Sequence, residues 1–375
     1  MELISDVGLE IVAFLAVLTA LVYVHEWGHY WVARRNGVRV EVFSIGFGPE
    51  VYGWTNAVGT RWKISAIPLG GYVKMFGEGD TVVDEDGERE LTDEEKSVSF
   101  AHKTLRQRAA IVVAGPMANF IFAALVFAAL ACFVGSPTPL SGVGTVSPDS
   151  PAQAAGFVPK DSIVAINGED VRYFSDLQRI VGANPGQTLE IDVIRADGTA
   201  AVLSAVPSLI VTEDGREIGR LGISPDPEQV EYEREDPISA LWFGVERTGA
   251  MIWGILNYIG DLFSGAQDTD GLGGPLRIAQ LSGEMAADGL VPLIIFAAAL
   301  SVNLGLINLF PVPMLDGGHL VFYAFEAVLG RPLDERAQEY GFRFGLVLVL
   351  VLFVFVTWND LEHRGFFEFF KNLAG

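Results

Sequence analysis

Apolar residues gather into four long, nearly uncharged runs, with polar or β-patterned stretches between them. Leu9–Ala33, Ala109–Val134 and Gly289–Phe310 are each long enough to cross the ~30 Å hydrocarbon layer of a bilayer as a helix, and Phe344–Trp358 is a shorter fourth run. A further apolar stretch, Ile238–Ala266, mixes aromatics with Glu246, Arg247 and Asp261, a pattern that suits a helix lying at the membrane interface. Val40–Pro49 and Arg61–Lys74 are short β-prone pieces punctuated by Gly and Pro. They fit a small cytoplasmic hairpin or a β-element dipping into the membrane, which lipid tolerates only where protein or a water-filled cavity shields the backbone. Glu78–Ser97 is mostly acidic and is expected to be a solvated loop. Leu140–Pro225 has soluble composition, β-patterning and Gly, Asp and Asn turns.

The predicted architecture is a polytopic α-helical membrane protein of about four transmembrane helices, with a membrane-associated β-hairpin and an inserted β-rich domain. Its divisions are residues 1–37 (first span), 38–108 (β-element and acidic loop), 109–135 (second span) and 136–228 (inserted domain), followed by 229–288 (interfacial helices), 289–320 (third span with a Pro-broken end) and 321–375 (loop, fourth span and tail). Basic residues set the orientation. Arg34, Arg35 and Arg39 follow the first span, Lys103, Arg106 and Arg108 precede the second, and Arg331, Arg336 and Arg343 precede the fourth. These ends face the cytoplasm, so both termini and the inserted domain face outward. No Lys or Arg occurs before Arg34, so the first run is not expected to be a cleaved signal peptide.

The 375 residues are 50% hydrophobic, and their formal charge of −22 excludes a phosphate-binding face for nucleic acid. The lone cysteine, Cys132, lies in an apolar run, so any metal must be held by His and carboxylate.

The chemistry concentrates at His25-Glu26-Trp27-Gly28-His29, inside the first span. Histidines at i and i+4 share one face of a helix, can hold one zinc ion, and leave the Glu beside them to act as general base. A catalytic zinc site needs a third protein ligand. Asp316, which follows the Pro-broken end of the third span, is the first choice, ahead of His319, Asp360 and Glu362; its competing role is to cap the helix that follows. The orientation agrees with that choice. If Ile238–Ala266 does not span, the third span runs inward and Asp316 reaches the depth of the histidines. Asn119 in the second span is expected to serve helix packing beside Gly115 and Ala118.

Leu140–Pro225 resembles a bacterial PDZ domain, with a strand, a short helix capped by Ser150, a strand and an Asn167-Gly168 turn. It departs from that pattern at Pro159-Lys160-Asp161, where Gly-Asp is more usual. Together with the first-span HExxH, Gly46-Phe47-Gly48, Gly115-Pro116-Met117-Ala118-Asn119 and Asn308-x-x-Pro311-x-Pro313-x-Leu315-Asp316-Gly317, the whole chain resembles the site-2 proteases, and within them the bacterial RseP-type branch. The resemblance implies an inner-membrane protease with one zinc ion held by His25, His29 and Asp316. It implies Glu26 as general base, Asn308 on the substrate backbone or oxyanion, and Gly46, Phe47, Gly48, Pro311 and Pro313 as substrate-binding positions. It further implies membrane-spanning protein substrates, such as anti-sigma factors or remnant signal peptides, and a peptide or C-terminus at a periplasmic PDZ domain. A metal-binding transporter and a catalytically silent PDZ scaffold are the competing functions. Glu26 is dispensable to the first and zinc to the second.

Overall fold

The computed structural model describes residues 2–77, 81–84, 87–211, 217–267 and 273–363. The chain divides into one unit made of Met1–Ala128 and Leu241–Gly375 and a second made of Ala129–Ala240.

The first unit opens with α1 (Glu2–Arg35), followed by β1 (Val40–Thr55) and β2 (Arg61–Met75). These two strands pair antiparallel, but they bend so far that Val42–Ile45 has partners on both sides, Arg61–Ile64 and Gly71–Lys74. Gly46 and Gly48, at φ +85° and +87°, stand where the register shifts, and the left-handed backbone there favours glycine. The hairpin packs on α1 through aromatic rings: Phe43 stacks on Trp62 at 4.2 Å between centroids, and Tyr30 meets both edge-on. Beyond it, the stretch expected as a solvated loop carries β3 (Thr81–Asp84), β4 (Gly87–Glu90) and α2 (Asp93–Val98). A reciprocal cap between Thr92 and Glu95 starts α2, so the acidic residues form a helix N-terminus, where negative charge is favoured.

α3 (Leu105–Phe133) leads into the second unit. That unit holds β5 (Ser136–Pro139), β6 (Val143–Val146), α4 (Pro151–Ala155), β7 (Ser162–Ile166), β8 (Glu169–Asp170), α5 (Phe174–Ala183), β9 (Leu189–Ile194), β10 (Ala200–Ala205), β11 (Ser208–Val211), β12 (Glu217–Arg220), β13 (Ile223–Pro225) and β14 (Val230–Glu233). One sheet has the order β10-β9-β7-β8, and β13-β6, β14-β5 and β11-β12 pair as separate two-stranded sheets. β9 alternates inward Leu189, Ile191 and Val193 with outward residues, and with Ile163, Ile166 and Leu177 these form the core. Ser150 caps α4, and Asn167-Gly168 takes two consecutive positive φ values between β7 and β8, the backbone of a tight hairpin turn. The unit reaches further than residues 136–228, because β14 pairs with β5.

The remaining helices are α6 (Pro237–Ser264), α7 (Pro275–Ala287), α8 (Leu290–Asn308), α9 (Asp316–Leu329) and α10 (Glu335–His363). Four helices are long and apolar enough to cross a membrane, at Gly8–Arg35, Leu105–Phe133, Leu290–Asn308 and Arg336–Leu361; α6 is not among them. The fourth is longer than its apolar run suggests, since α10 already starts at Glu335, within residues expected to be loop, where an exposed Glu339–Arg343 pair one turn apart adds modest support. α10 is anchored near both ends. Gly341 seats against the Phe322 ring and Gly345 against Pro313, and the Asp360 carboxylate accepts main-chain N–H bonds from Gly274 at 2.9 Å, Leu276 at 3.1 Å and Arg277 at 3.2 Å. Asp360 therefore caps α7, which removes it as a metal-ligand candidate. The side chain of Glu362 lies outside the described residues.

Lys160 occupies φ +71° at the turn where a glycine is more usual. Its ion pair with Glu228 is solvent-exposed at 3.4 Å and contributes little. Lys160→Gly is expected to stabilise the inserted unit by up to ~1 kcal/mol, since relief of left-handed strain outweighs the added freedom of the unfolded chain. Slower hydrogen exchange at the Ile163 and Ile191 amides of the full-length protein checks this.

Candidate metal centre

Imidazoles within apolar helices need room and partners, and the contact between α1 and α3 provides both. At Gly28 the two backbones approach so closely that a Cβ would lie 2.3 Å from the Ala114 carbonyl oxygen. At Gly115 a Cβ would lie 2.3 Å from His29 Nε2 and 2.9 Å from His25 Cε1, so the bare glycine is the space that the rings occupy.

Both histidines are buried, and their Nε2 atoms stand 3.2 Å apart. α9 delivers Asp316 to the same point, its Oδ2 3.2 Å from His25 Nε2 and 3.5 Å from His29 Nε2. Leu315 is the N-cap of α9 and no side chain caps it, so Asp316 faces the histidines and leaves the capping role unfilled. Gly317 and Gly318 make this possible. A Cβ on either would strike main-chain carbonyls of the Pro-broken loop, at 2.2 Å from Phe310 and 2.4 Å from Val312.

The three donor atoms form a nearly equilateral triangle. Ligands ~2.0–2.1 Å from a tetrahedral zinc ion stand about 3.3 Å apart, so the set fits. Asp316 Oδ2 is buried with no hydrogen-bond partner, an orphan that a cation would satisfy. Among the described residues this is the group of His, Cys, Asp or Glu side chains placed to hold a metal.

A cavity of about 640 Å³ opens on the triangle. Glu26 lines it, with Gly71 giving its side chain room and the Val73 main chain as hydrogen-bond partner. Asn308, the last residue of α8, also lines it, as do Phe47 and Met314. Phe47 lies parallel to Tyr72 at 6.1 Å and against Gly70. Met314 holds φ +95°, a strained value for a side-chain-bearing residue beside the site. Of the other positions expected at the substrate, Gly46 and Gly48 shape the hairpin bends, Pro311 is exposed, and Pro313 packs on α10; none of these lines the cavity. His319 lines the cavity but lies outside the triangle, 5.3 Å from the Phe342 ring.

Residues 13–352 match the family model described as peptidase family M50. The chain belongs to peptidase family M50, the site-2 proteases. It is 48% identical to a protein of Agrobacterium fabrum provisionally named a zinc metalloprotease, over 94% of this chain and 95% of that one. It is 38% identical to the metalloprotease MmpA of Caulobacter vibrioides, over 97% and 98%, and 32% identical to the protease RseP of Yersinia pestis, over 93% and 98%. As a family M50 member the chain is a zinc metalloprotease, and its apolar helices mark it as a membrane protein.

Two neighbours of the triangle make contacts that the sequence pattern did not indicate. Asn119, expected to serve packing, is fully buried with its amide 3.2 Å from His25 Nδ1. Gly115 lies one helical turn before it, and that spacing within a polar-interrupted apolar helix was the available signal. Gly115→Ala is expected to weaken zinc binding by about tenfold or more while leaving helix content unchanged. Metal analysis of the purified protein, with circular dichroism alongside, checks it.

Proposed function

We propose that this chain is an intramembrane zinc endopeptidase that cuts transmembrane segments of single-span proteins. The observation that carries the proposal is the meeting of His25 and His29, from the first apolar run, with Asp316, just beyond the third, on a cavity that also holds Glu26 and Asn308. His25, His29 and Asp316 would hold the zinc. Zinc supplies Lewis acidity, which polarises a carbonyl and makes water a nucleophile near neutral pH.

The chain's own residues do the rest. Glu26 accepts a proton from the attacking water and passes it to the leaving amine. The Asn308 amide donates to the substrate backbone or to the oxyanion that develops on it. A transmembrane substrate hides its carbonyls in helical hydrogen bonds, so it must be drawn out as a strand before attack. Gly70–Val73 of β2, on the cavity wall, offers an edge for strand addition, and Phe47 offers an apolar contact. Gly46, Gly48, Pro311 and Pro313 act indirectly by fixing the loops that carry Phe47 and Asp316.

The meeting of Asp316 with the histidines also supports the topology in which α6 lies at the interface, both termini and the inserted unit are periplasmic, and the helices cross the bacterial inner membrane. The Ser150 cap, the Asn167-Gly168 turn and the strand order support a PDZ assignment for the inserted unit, with an extended peptide or C-terminus as ligand. Single-span anti-sigma factors and remnant signal peptides fit the site as substrates.

Glu26→Gln is expected to keep its zinc and lose cleavage of a tagged single-span substrate in detergent. Cleavage at the parent rate would remove the base assignment. Asn308→Ala is expected to slow cleavage by ~10²–10³ with zinc content intact, read by single-turnover kinetics and metal analysis together.

A further inference from the structure

Ile111, Gly115 and Asn119 are spaced i, i+4, i+8 and form one stripe along α3. Each meets the histidine pair. The Ile111 carbonyl lies 2.9 Å from His29 Nδ1, the Asn119 amide lies 3.2 Å from His25 Nδ1, and Gly115 faces both rings between them. Asn119 is itself held, since its main-chain oxygen accepts from Ser301 Oγ of α8 at 3.0 Å.

The two contacts differ in kind. A carbonyl only accepts, so His29 carries a proton on Nδ1, and in the neutral ring that binds a metal its Nε2 is bare toward Asp316. An amide offers either end. With Nδ2 donating to His25 Nδ1, the ring proton sits on Nε2, the atom that faces His29 and Asp316, and closes that ring to a cation. With the amide turned, Nδ1–H donates to Oδ1, which gains the partner it otherwise lacks, and Nε2 is bare.

We propose that Asn119 is a positioning residue for the zinc site: its side-chain oxygen holds the His25 proton on Nδ1 and aims Nε2 at the metal. The proposal rests on His25 being a ligand. Sequence pattern alone left Asn119 to packing, but a packing role needs no amide within hydrogen-bond reach of His25 Nδ1.

The test is zinc affinity of the full-length protein in detergent, measured by competition with a chromophoric chelator. Asn119→Leu is expected to weaken zinc 10–100-fold at unchanged helix content. Asn119→Asp, which presents an acceptor from either end, is expected to restore affinity to the parent level or above. A Leu variant that binds as tightly as the parent, or an Asp variant as weak as the Leu variant, overturns the proposal. Should Asn119→Leu not fold, nitrogen-15 spectra of the histidines in the zinc-loaded parent decide: His25 protonated at Nδ1 supports the role, and a bare Nδ1 overturns it. His25→Ala separates the two levels. If it retains parent affinity, the ligand assignment fails and this proposal with it. If it loses zinc while Asn119→Leu does not, only the positioning role fails.

Discussion

Lipid offers no hydrogen bond to an imidazole, so a polar site among apolar helices must find its partners within the protein. Here the constraint is met by closeness. Gly28 and Gly115 bring α1 and α3 near enough that a main-chain carbonyl and a buried amide reach the two rings directly. Each glycine in a helix interior costs about 1 kcal/mol relative to alanine in water. The buried contacts it permits exceed that, because an unpartnered polar group in an apolar interior costs more. Both imidazoles take their position from this pair of helices.

The third donor comes by a different device. α8 ends at Asn308, and Pro311 and Pro313 prevent the helix from continuing, so the chain turns and restarts at Asp316. Gly317 and Gly318 let the new helix start directly against the loop it has just left. Met314, at φ +95°, carries the strain of that reversal. A carboxylate placed in this way is rigid, which matters when three donor atoms must converge to within a few tenths of an ångström.

Much of this was legible in the sequence. The apolar runs, the His25/His29 spacing, the Ser150 cap and the Asn167-Gly168 turn are local patterns, and each corresponds to a local structure. Asp316 was legible from its place after the Pro-broken stretch, with topology in support, because its expected distance from the histidines depends on whether α6 crosses the membrane. The contacts of Asn119 and Asp360 were not legible, for one reason. Their roles lie in contacts between residues far apart in sequence, 94 positions for Asn119 with His25 and 86 for Asp360 with Gly274, and no periodicity records such contacts. The hairpin was foreseen as two strands, but its doubled pairing at Val42–Ile45 comes from bends at Gly46 and Gly48 that composition cannot orient.

Asp360 bears on how the molecule comes into being. α7 packs along α1, and the start of α7 is closed by a carboxylate from the far end of the final helix. During synthesis the histidines emerge first, Asp316 long afterwards, and the group that secures α7 later still. A ribosome must therefore deliver nearly the whole polypeptide before the hydrolytic centre is both complete and braced.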